Sequence, residues 1–154
     1  MSGTKLLFMS VCTFGLYHVY WFYRNWRLRN ELRRRGVTAP LRAIFAPFFA
    51  YSLFSDVDDE VRHWGVTPGW SAAAMAIAYF LLNLVTQLPD PLWLVGLLSF
   101  LPLLSVQHTV NEANARSSHP APVKANYSGL NIAGIVLGGI LLLLALIGTF
   151  MPEP

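Results

Sequence analysis

ANYSGLNIAGIVLGGILLLLALIGTFMP, at positions 125–152, is a long apolar run without a charged side chain. Three further runs also lack charged side chains, namely those at positions 6–23, 63–89 and 91–111. About 20 apolar residues, each adding about 1.5 Å of helix rise, cross a hydrocarbon core of about 30 Å. A chain of 154 residues cannot bury four such runs in one small core, so the sequence predicts a multi-pass membrane protein.

The composition supports this class of protein. Charged residues make up 12% of the chain and hydrophobic residues 55%, whereas soluble domains carry about 25% charged residues. The length favours one bundle over two domains, so we predict a single transmembrane domain over residues 1–154. The chain has one cysteine, Cys12, which excludes an intrachain disulfide.

The predicted fold is an all-α, multi-pass transmembrane helical bundle with four spans. The spans are expected over about residues 6–23, 69–88, 92–107 and 130–151. The uncharged stretch from Ala43 to Ser55 has Pro47 in its middle and is short for an ordinary span. We therefore expect a re-entrant or interfacial helix over about residues 41–55, and whether this segment crosses the membrane stays open.

An aromatic run and an arginine run follow the first predicted span. No small-residue cleavage site follows the apolar stretch, and the run Tyr20–Tyr23 is typical of an interfacial anchor, so we predict a retained span. Basic residues near span ends stay in the cytoplasm, which predicts a cytoplasmic Arg24–Arg42 segment with Lys5 on the opposite side.

The arginines and their aromatic neighbours form the first candidate site, for anionic lipid or a partner protein. Anionic headgroups attract basic residues beside a span at about 1 kcal/mol each, and aromatic rings lie at the headgroup level. The candidate residues are Trp21, Arg24, Asn25, Trp26, Arg27, Arg29, Arg33, Arg34 and Arg35. The alternative is a topology signal with ordinary anchoring. Nothing in the sequence indicates a nucleic-acid-binding fold, so no nucleic-acid partner is expected.

A candidate polar cluster lies where the third predicted span ends. His108, Asn111 and Glu112 share one helix face, and Asn114 follows. A histidine and a glutamate at this spacing can bind a metal, but two ligands make an incomplete site, so we predict no metal and no cofactor. Polar contacts between the cytoplasmic ends of the helices are the expected role.

An acidic cluster lies at residues 56–60, where Asp56, Asp58, Asp59 and Glu60 occur together. A calcium loop of the EF-hand type starting at Asp56 needs glycine at its sixth position, where Val61 stands. The cluster is therefore expected to offset the arginines on the cytoplasmic face rather than to bind calcium.

Polar and small residues inside the spans suggest two further features. Asn83 and Gln87, four positions apart in the second span, are candidates for a polar groove. The alternative is that these amides join helices by hydrogen bonds, worth about 0.6 kcal/mol on average. The small residues Gly134, Gly138 and Gly139 predict close helix packing, either within the bundle or in self-association.

Two motifs carry a resemblance to a known family. CTFGLY at residues 12–17, followed by YWFYRNW at residues 20–26, resembles a pattern found in small uncharacterised bacterial inner-membrane proteins. The run FAPFF at residues 45–49 and the span exit with Asn111 and Asn114 resemble it too. The resemblance implies residence in the inner membrane. The family has no agreed activity, so the resemblance implies no catalytic residue.

These observations predict a non-enzymatic function. The sequence contains no nucleophile elbow, no zinc-protease motif and no phosphate-binding glycine loop, and we predict no catalytic residue. The leading hypothesis is an accessory or scaffold protein that contacts anionic lipid or another membrane protein at the cytoplasmic face. The alternative is a small transporter or lipid-translocating protein with a polar groove near the second span.

Overall fold

The fold is entirely helical. The computed structural model describes residues 1–33, 38–118, 120–123 and 125–151, without the side chains of residues 32 and 33. Helices account for 77% of the described residues, which contain no strand, and this confirms the predicted all-α class. The helices are α1 (Gly3–Cys12), α2 (Leu16–Arg33), α3 (Ala39–Ile44), α4 (Ala46–His63), α5 (Ala72–Val85), α6 (Trp93–Gly96), α7 (Phe100–Arg116) and α8 (Gly129–Phe150). A 3₁₀ turn (Leu97–Ser99) joins α6 to α7.

The first predicted span is interrupted in its middle. α1 ends at Cys12 and α2 begins at Leu16. Between them Phe14 and Gly15 have φ angles of 50° and 81°. Such left-handed backbone ends a helix, and glycine adopts it without a steric cost. The N–H of Gly15 donates to the carbonyl oxygen of Ser10 at 2.9 Å, which satisfies a carbonyl at the end of α1.

α1 and α2 form a hairpin that brings the start of the chain back along α2. The Tyr17 hydroxyl donates to the sulfur of Met1 at 3.1 Å. In one continuous helix, two residues this far apart in sequence would be separated by about 24 Å. Lys5 consequently lines the same cavity as Arg24, although the sequence placed Lys5 on the opposite side of the membrane. The predicted first span over about residues 6–23 is therefore not supported, because it is not one continuous helix.

The predicted re-entrant or interfacial segment forms two helices. α3 ends at Ile44 and α4 begins at Ala46. Pro47 lies in the first turn of α4, where its missing N–H has no helical partner to lose. α4 continues to His63, beyond the predicted end of this segment. The acidic cluster therefore lies within α4, where Asp56 is buried in the bundle.

Among the residues that the structure describes, two helical stretches are long and apolar enough to cross a membrane. They are Trp93–Arg116, of 24 residues, and Gly129–Phe150, of 22 residues. The second predicted span contains α5, whose 14 residues extend about 21 Å and fall short of a hydrocarbon core of about 30 Å. The structure is compatible with membrane association, but the predicted four spans are not supported.

The core lies where α2, α4 and α5 meet. The ring of Phe22 is 6.0 Å from the ring of Phe54 and 5.3 Å from that of Tyr79, and all three side chains are buried. Aromatic pairs at these distances add to the free energy gained from burial. α8, in contrast, packs mainly on α1 and leaves most of its apolar side chains exposed.

The molecule has two ends of different charge. We call one the arginine end, which carries Arg24, Arg29, Glu60, Arg62 and Arg116. We call the other the Asp90 end, where the Trp93 indole donates to Asp90 at 2.6 Å and to Thr149 at 3.2 Å. Since Thr149 is in the last turn of α8, that helix ends at the Asp90 end.

Candidate functional site

The predicted arginine cluster is partly neutralised by carboxylates of the same chain. Nε of Arg27 is 3.1 Å from Glu31, one helical turn away. Arg29 is only 4% exposed and donates to Glu60. This second pair confirms, for Glu60, that the acidic cluster offsets the arginines. Exposed pairs contribute little to stability, but each reduces the local positive charge.

Three other residues of the predicted cluster are buried within the bundle. The Trp21 indole donates to the side-chain oxygen of Gln107 at 2.8 Å. The Asn25 amide donates to the carbonyl oxygen of Trp21 at 2.8 Å. The buried ring of Trp26 lies 4.5 Å from the guanidinium of Arg42, a cation–π distance. The contacts of Trp21 and Trp26 join α2 to other helices, whereas that of Asn25 lies within α2.

Part of the predicted cluster is outside the described residues. The backbone of Arg33 closes α2, but its side chain is not described, and Arg34 and Arg35 are in the undescribed range 34–37. The structure therefore places Arg24, Arg27 and Arg29 and leaves the roles of the other three arginines as predictions.

The predicted polar cluster of α7 divides into two rows. In one row, Gln107 donates to Asn111 at 2.9 Å, and Asn111 donates to the carbonyl oxygen of Met1 at 2.9 Å. In the other row, His108 and Glu112 line a cavity of about 490 Å³. The first row links α7 to the start of the chain and, through Gln107, to α2.

The remaining member of this cluster, Asn114, holds the loop that follows α7. Its amide donates to the carbonyl oxygen of Ala121 at 2.8 Å and accepts from the N–H of the same residue at 3.0 Å. Glu112 forms an ion pair with Arg116 at 2.7 Å. In the part of the chain that the structure describes, no three potential metal ligands lie together.

The predicted groove residues bond locally within their own segment. The Asn83 amide donates to the carbonyl oxygen of Tyr79 at 2.7 Å, and the Gln87 amide is 3.3 Å from the Thr86 hydroxyl. Asn83 and Gln87 nevertheless line a cavity of about 430 Å³, together with Gly96. The structure thus places both amides beside a space where water or a ligand fits.

The predicted glycine patch is divided between two roles. A Cβ on Gly138 would lie 1.7 Å from the carbonyl oxygen of Cys12, so this glycine allows α8 to touch α1. A Cβ on Gly134 would meet ordinary contacts at 3.8 Å, and one on Gly139 would meet open space. Packing within the chain accounts for Gly138, while Gly139 lies on an open face of α8.

A cavity at the arginine end brings together residues that the sequence separated. It measures about 780 Å³ and lies between α1, α2 and the start of α8; we call it the Lys5–Arg24 cavity. Its described lining residues are Met1, Lys5, Tyr17, Tyr20, Arg24, Pro122, Val123, Ala125, Asn126, Ser128, Leu130 and Asn131. This described lining contains two cationic side chains and no carboxylate. The one sequence signal for this arrangement was Gly15, which interrupts the first apolar run and permits a reversal.

Neutral groups hold Lys5 in this cavity. Its Nζ donates to the carbonyl oxygen of Asn126 at 2.7 Å and lies 5.4 Å from the ring of Tyr127. With its amide oxygen turned toward Lys5, Asn131 accepts a further bond from Nζ at 2.8 Å. The side chain is 8% exposed. These contacts fix the position of the ammonium group within the cavity.

Arg24 supplies the second positive charge. Its side chain is exposed and forms no ion pair with any residue that the structure describes. Burial lowers the pKa of the Met1 amino group, and the nearby charges of Arg24 and Lys5 lower it further. Met1, Lys5 and Arg24 all line this cavity, so the cations share the same space.

No protein-family model, curated protein or solved structure matches the chain. The resemblance to small bacterial inner-membrane proteins therefore stays a prediction, and the function is argued from the chain's own geometry.

Proposed function

We propose that the chain is a non-enzymatic, multi-pass protein of the bacterial inner membrane that contacts anionic lipid at its arginine end, in an accessory or scaffold role. The observation that carries this proposal is the separation of charge from exposed apolar surface. Every Lys and Arg side chain that the structure describes lies toward the arginine end, including Lys5. Basic residues concentrate on the cytoplasmic side of membrane proteins and attract anionic headgroups there.

The exposed face of α8 supports a lipid environment. Leu130, Leu137 and Leu144 are 87%, 66% and 59% exposed, and further apolar residues of this helix are exposed between them. Apolar area left in water costs about 25 cal/mol per Å², and soluble monomers rarely expose patches above a few hundred Å². Hydrocarbon around α8 removes this cost.

We propose a topology with both full-length helices crossing the bilayer. The α1–α2 hairpin and the α3–α4 pair start and finish toward the arginine end, which faces the cytoplasm. α5 runs beside the Trp93–Arg116 stretch. The Trp70 indole, just before α5, donates to Thr109 of α7 at 2.9 Å, and Thr86, just after α5, packs against Gly96 of α6. In this arrangement the first and last helices begin at the arginine end, and α8 carries the chain to the periplasmic side.

Membrane extraction and lipid selectivity test this proposal together. After alkaline carbonate treatment, we expect the full chain to remain in the membrane pellet. In mixed micelles we expect the purified protein to bind phosphatidylglycerol more tightly than phosphatidylcholine. Release into the supernatant, or equal affinity for the two lipids, would contradict the proposal.

The cavity beside Asn83 and Gln87 favours a second candidate function, a small transporter or lipid-translocating protein. A transport route requires that water reach this cavity from outside the bilayer. We would label Asn83→Cys, in a Cys12→Ala background, with a membrane-impermeant maleimide in intact cells. Rapid labelling would support transport, whereas protection equal to that of the lipid-facing control Leu141→Cys would exclude it.

A further inference from the structure

We infer that the Lys5–Arg24 cavity binds the phosphate headgroup of one anionic phospholipid molecule, whose acyl chains lie along the exposed face of α8. The inference rests on the proposed function and deepens it, since it replaces a general surface attraction by one site with one ligand. The site lies where α1, α2 and the loop before α8 meet.

The positive charge of the cavity favours an anionic ligand. Lys5 and Arg24 share it, and none of its described lining residues is acidic. Like charges brought together away from bulk water repel one another, and a bound anion converts this repulsion into attraction. Hydrogen bonds from charged donors to phosphate oxygens are about twice as strong as those between neutral groups.

Nearby neutral donors fit the same ligand. α8 begins at this cavity, with Ser128 as its N-cap residue, and the start of a helix carries a partial positive charge. The phenol of Tyr20, half exposed at the cavity, offers a hydroxyl. A phosphate group placed between Lys5 and Arg24 would therefore meet donors from three helices.

The apolar part of the cavity distinguishes a lipid from a free phosphate ion. Leu130 is the most exposed large hydrophobic residue among those described and lies at the cavity margin. From there the exposed side chains of α8 continue through Leu137 toward the Asp90 end. An acyl chain attached to the bound phosphate would extend along this surface, a contact that a free phosphate ion cannot make.

The other described arginines of the predicted cluster fit this ligand less well. Arg27 is paired with Glu31, and Arg29 is buried and paired with Glu60. Arg24 differs from both because no carboxylate of the described chain neutralises it. An anionic headgroup at the arginine end therefore gains most binding free energy from Arg24, and Lys5 is the second cation of the cavity.

Lipid titration of two charge-removing variants tests the site. We would titrate the purified full chain with phosphatidylglycerol and count bound lipids by native mass spectrometry, comparing Arg24→Gln with Arg62→Gln. Both variants remove one positive charge from the arginine end, but Arg62 is on α4 and does not line the cavity. We expect one tightly bound lipid in the unmodified protein, about tenfold weaker binding in Arg24→Gln and less than about twofold weakening in Arg62→Gln.

A further variant keeps both cations of the Lys5–Arg24 cavity and fills the cavity itself. Ala125 lines the cavity and is exposed, so Ala125→Trp places a large ring there without altering either cation. We expect the tightly bound phosphatidylglycerol to be lost from this variant too. Circular dichroism and the thermal midpoint would confirm that every variant is folded before its affinity is compared.

The outcomes separate the site from the proposed function. Equal weakening in Arg24→Gln and Arg62→Gln, or full binding by Ala125→Trp, would overturn the cavity while leaving general lipid contact intact. The absence of any preference of the unmodified protein for phosphatidylglycerol over phosphatidylcholine would overturn both. Displacement of the lipid by an equal concentration of glycerol phosphate would show that the ligand is a soluble phosphate and overturn the lipid assignment.

Discussion

At the residue scale, Gly138 controls how closely α8 approaches α1. A Cβ at this position would lie 1.7 Å from the carbonyl oxygen of Cys12, a backbone atom that cannot move without displacing α1. One helical step further, a Cβ on Gly139 would meet open space. The two neighbouring glycines thus form a matched pair for experiment.

We predict that Gly138→Ala destabilises the protein and that Gly139→Ala does not. The methyl group on residue 138 forces the helices apart, at a cost of about 1–3 kcal/mol. The methyl group on residue 139 costs nothing in packing and favours the helix by up to about 1 kcal/mol. Thermal unfolding in the same detergent measures both variants. Equal midpoints for the two would contradict the close contact between α8 and α1.

The buried hydrogen bond between Trp21 and Gln107 leads to a second prediction at this scale. Gln107→Leu leaves the Trp21 indole N–H buried without an acceptor, which costs about 1–3 kcal/mol. The loss should be partly recovered when Trp21→Phe is added, because the unpaired donor is then removed. Denaturant unfolding of the two single variants and the double variant checks this. Strictly additive losses would show that the two side chains are not coupled.

At the element scale, the α1–α2 hairpin distinguishes this molecule from the predicted bundle. Its turn depends on the left-handed backbone of Phe14 and Gly15. Apolar length alone indicated one continuous span, because both arms are apolar and hydropathy does not record a change of direction. α8 was easier to predict, since a helix that packs mainly on one neighbour is determined largely by its own composition.

We predict that Gly15→Val disrupts this hairpin. A β-branched residue at a φ of 81° costs at least about 1–2 kcal/mol, and the glycine at position 69 offers a control because a Cβ there meets open space. Gly15→Val should lower the thermal midpoint by several degrees, and Gly69→Ala should leave it within about one degree. A Gly15→Val protein as stable as the unmodified chain would contradict the left-handed turn.

At the scale of the whole molecule, reversal of the hairpin changes the distribution of charge. The sequence predicted an arginine-rich face but placed Lys5 across the membrane from it. In the structure Lys5 and Arg24 line the same cavity, and Trp21, Asn25 and Trp26 are buried. The sequence identified the polar residues of α2. Spacing along one helix did not show which of them face the bundle, because α2 packs on α1, α3 and α4 together and the placement of these helices is set by tertiary packing.

The direction of the first helix is the central claim, and cysteine labelling tests it directly. Thr4 and Met151 are exposed at opposite ends of the proposed topology, so each is replaced by cysteine in a Cys12→Ala chain and treated in intact bacterial cells with a membrane-impermeant maleimide. We expect labelling of Met151→Cys and protection of Thr4→Cys until the inner membrane is opened. Labelling of Thr4→Cys in intact cells would place the start of the chain outside and contradict the hairpin, the shared cavity and the lipid site together.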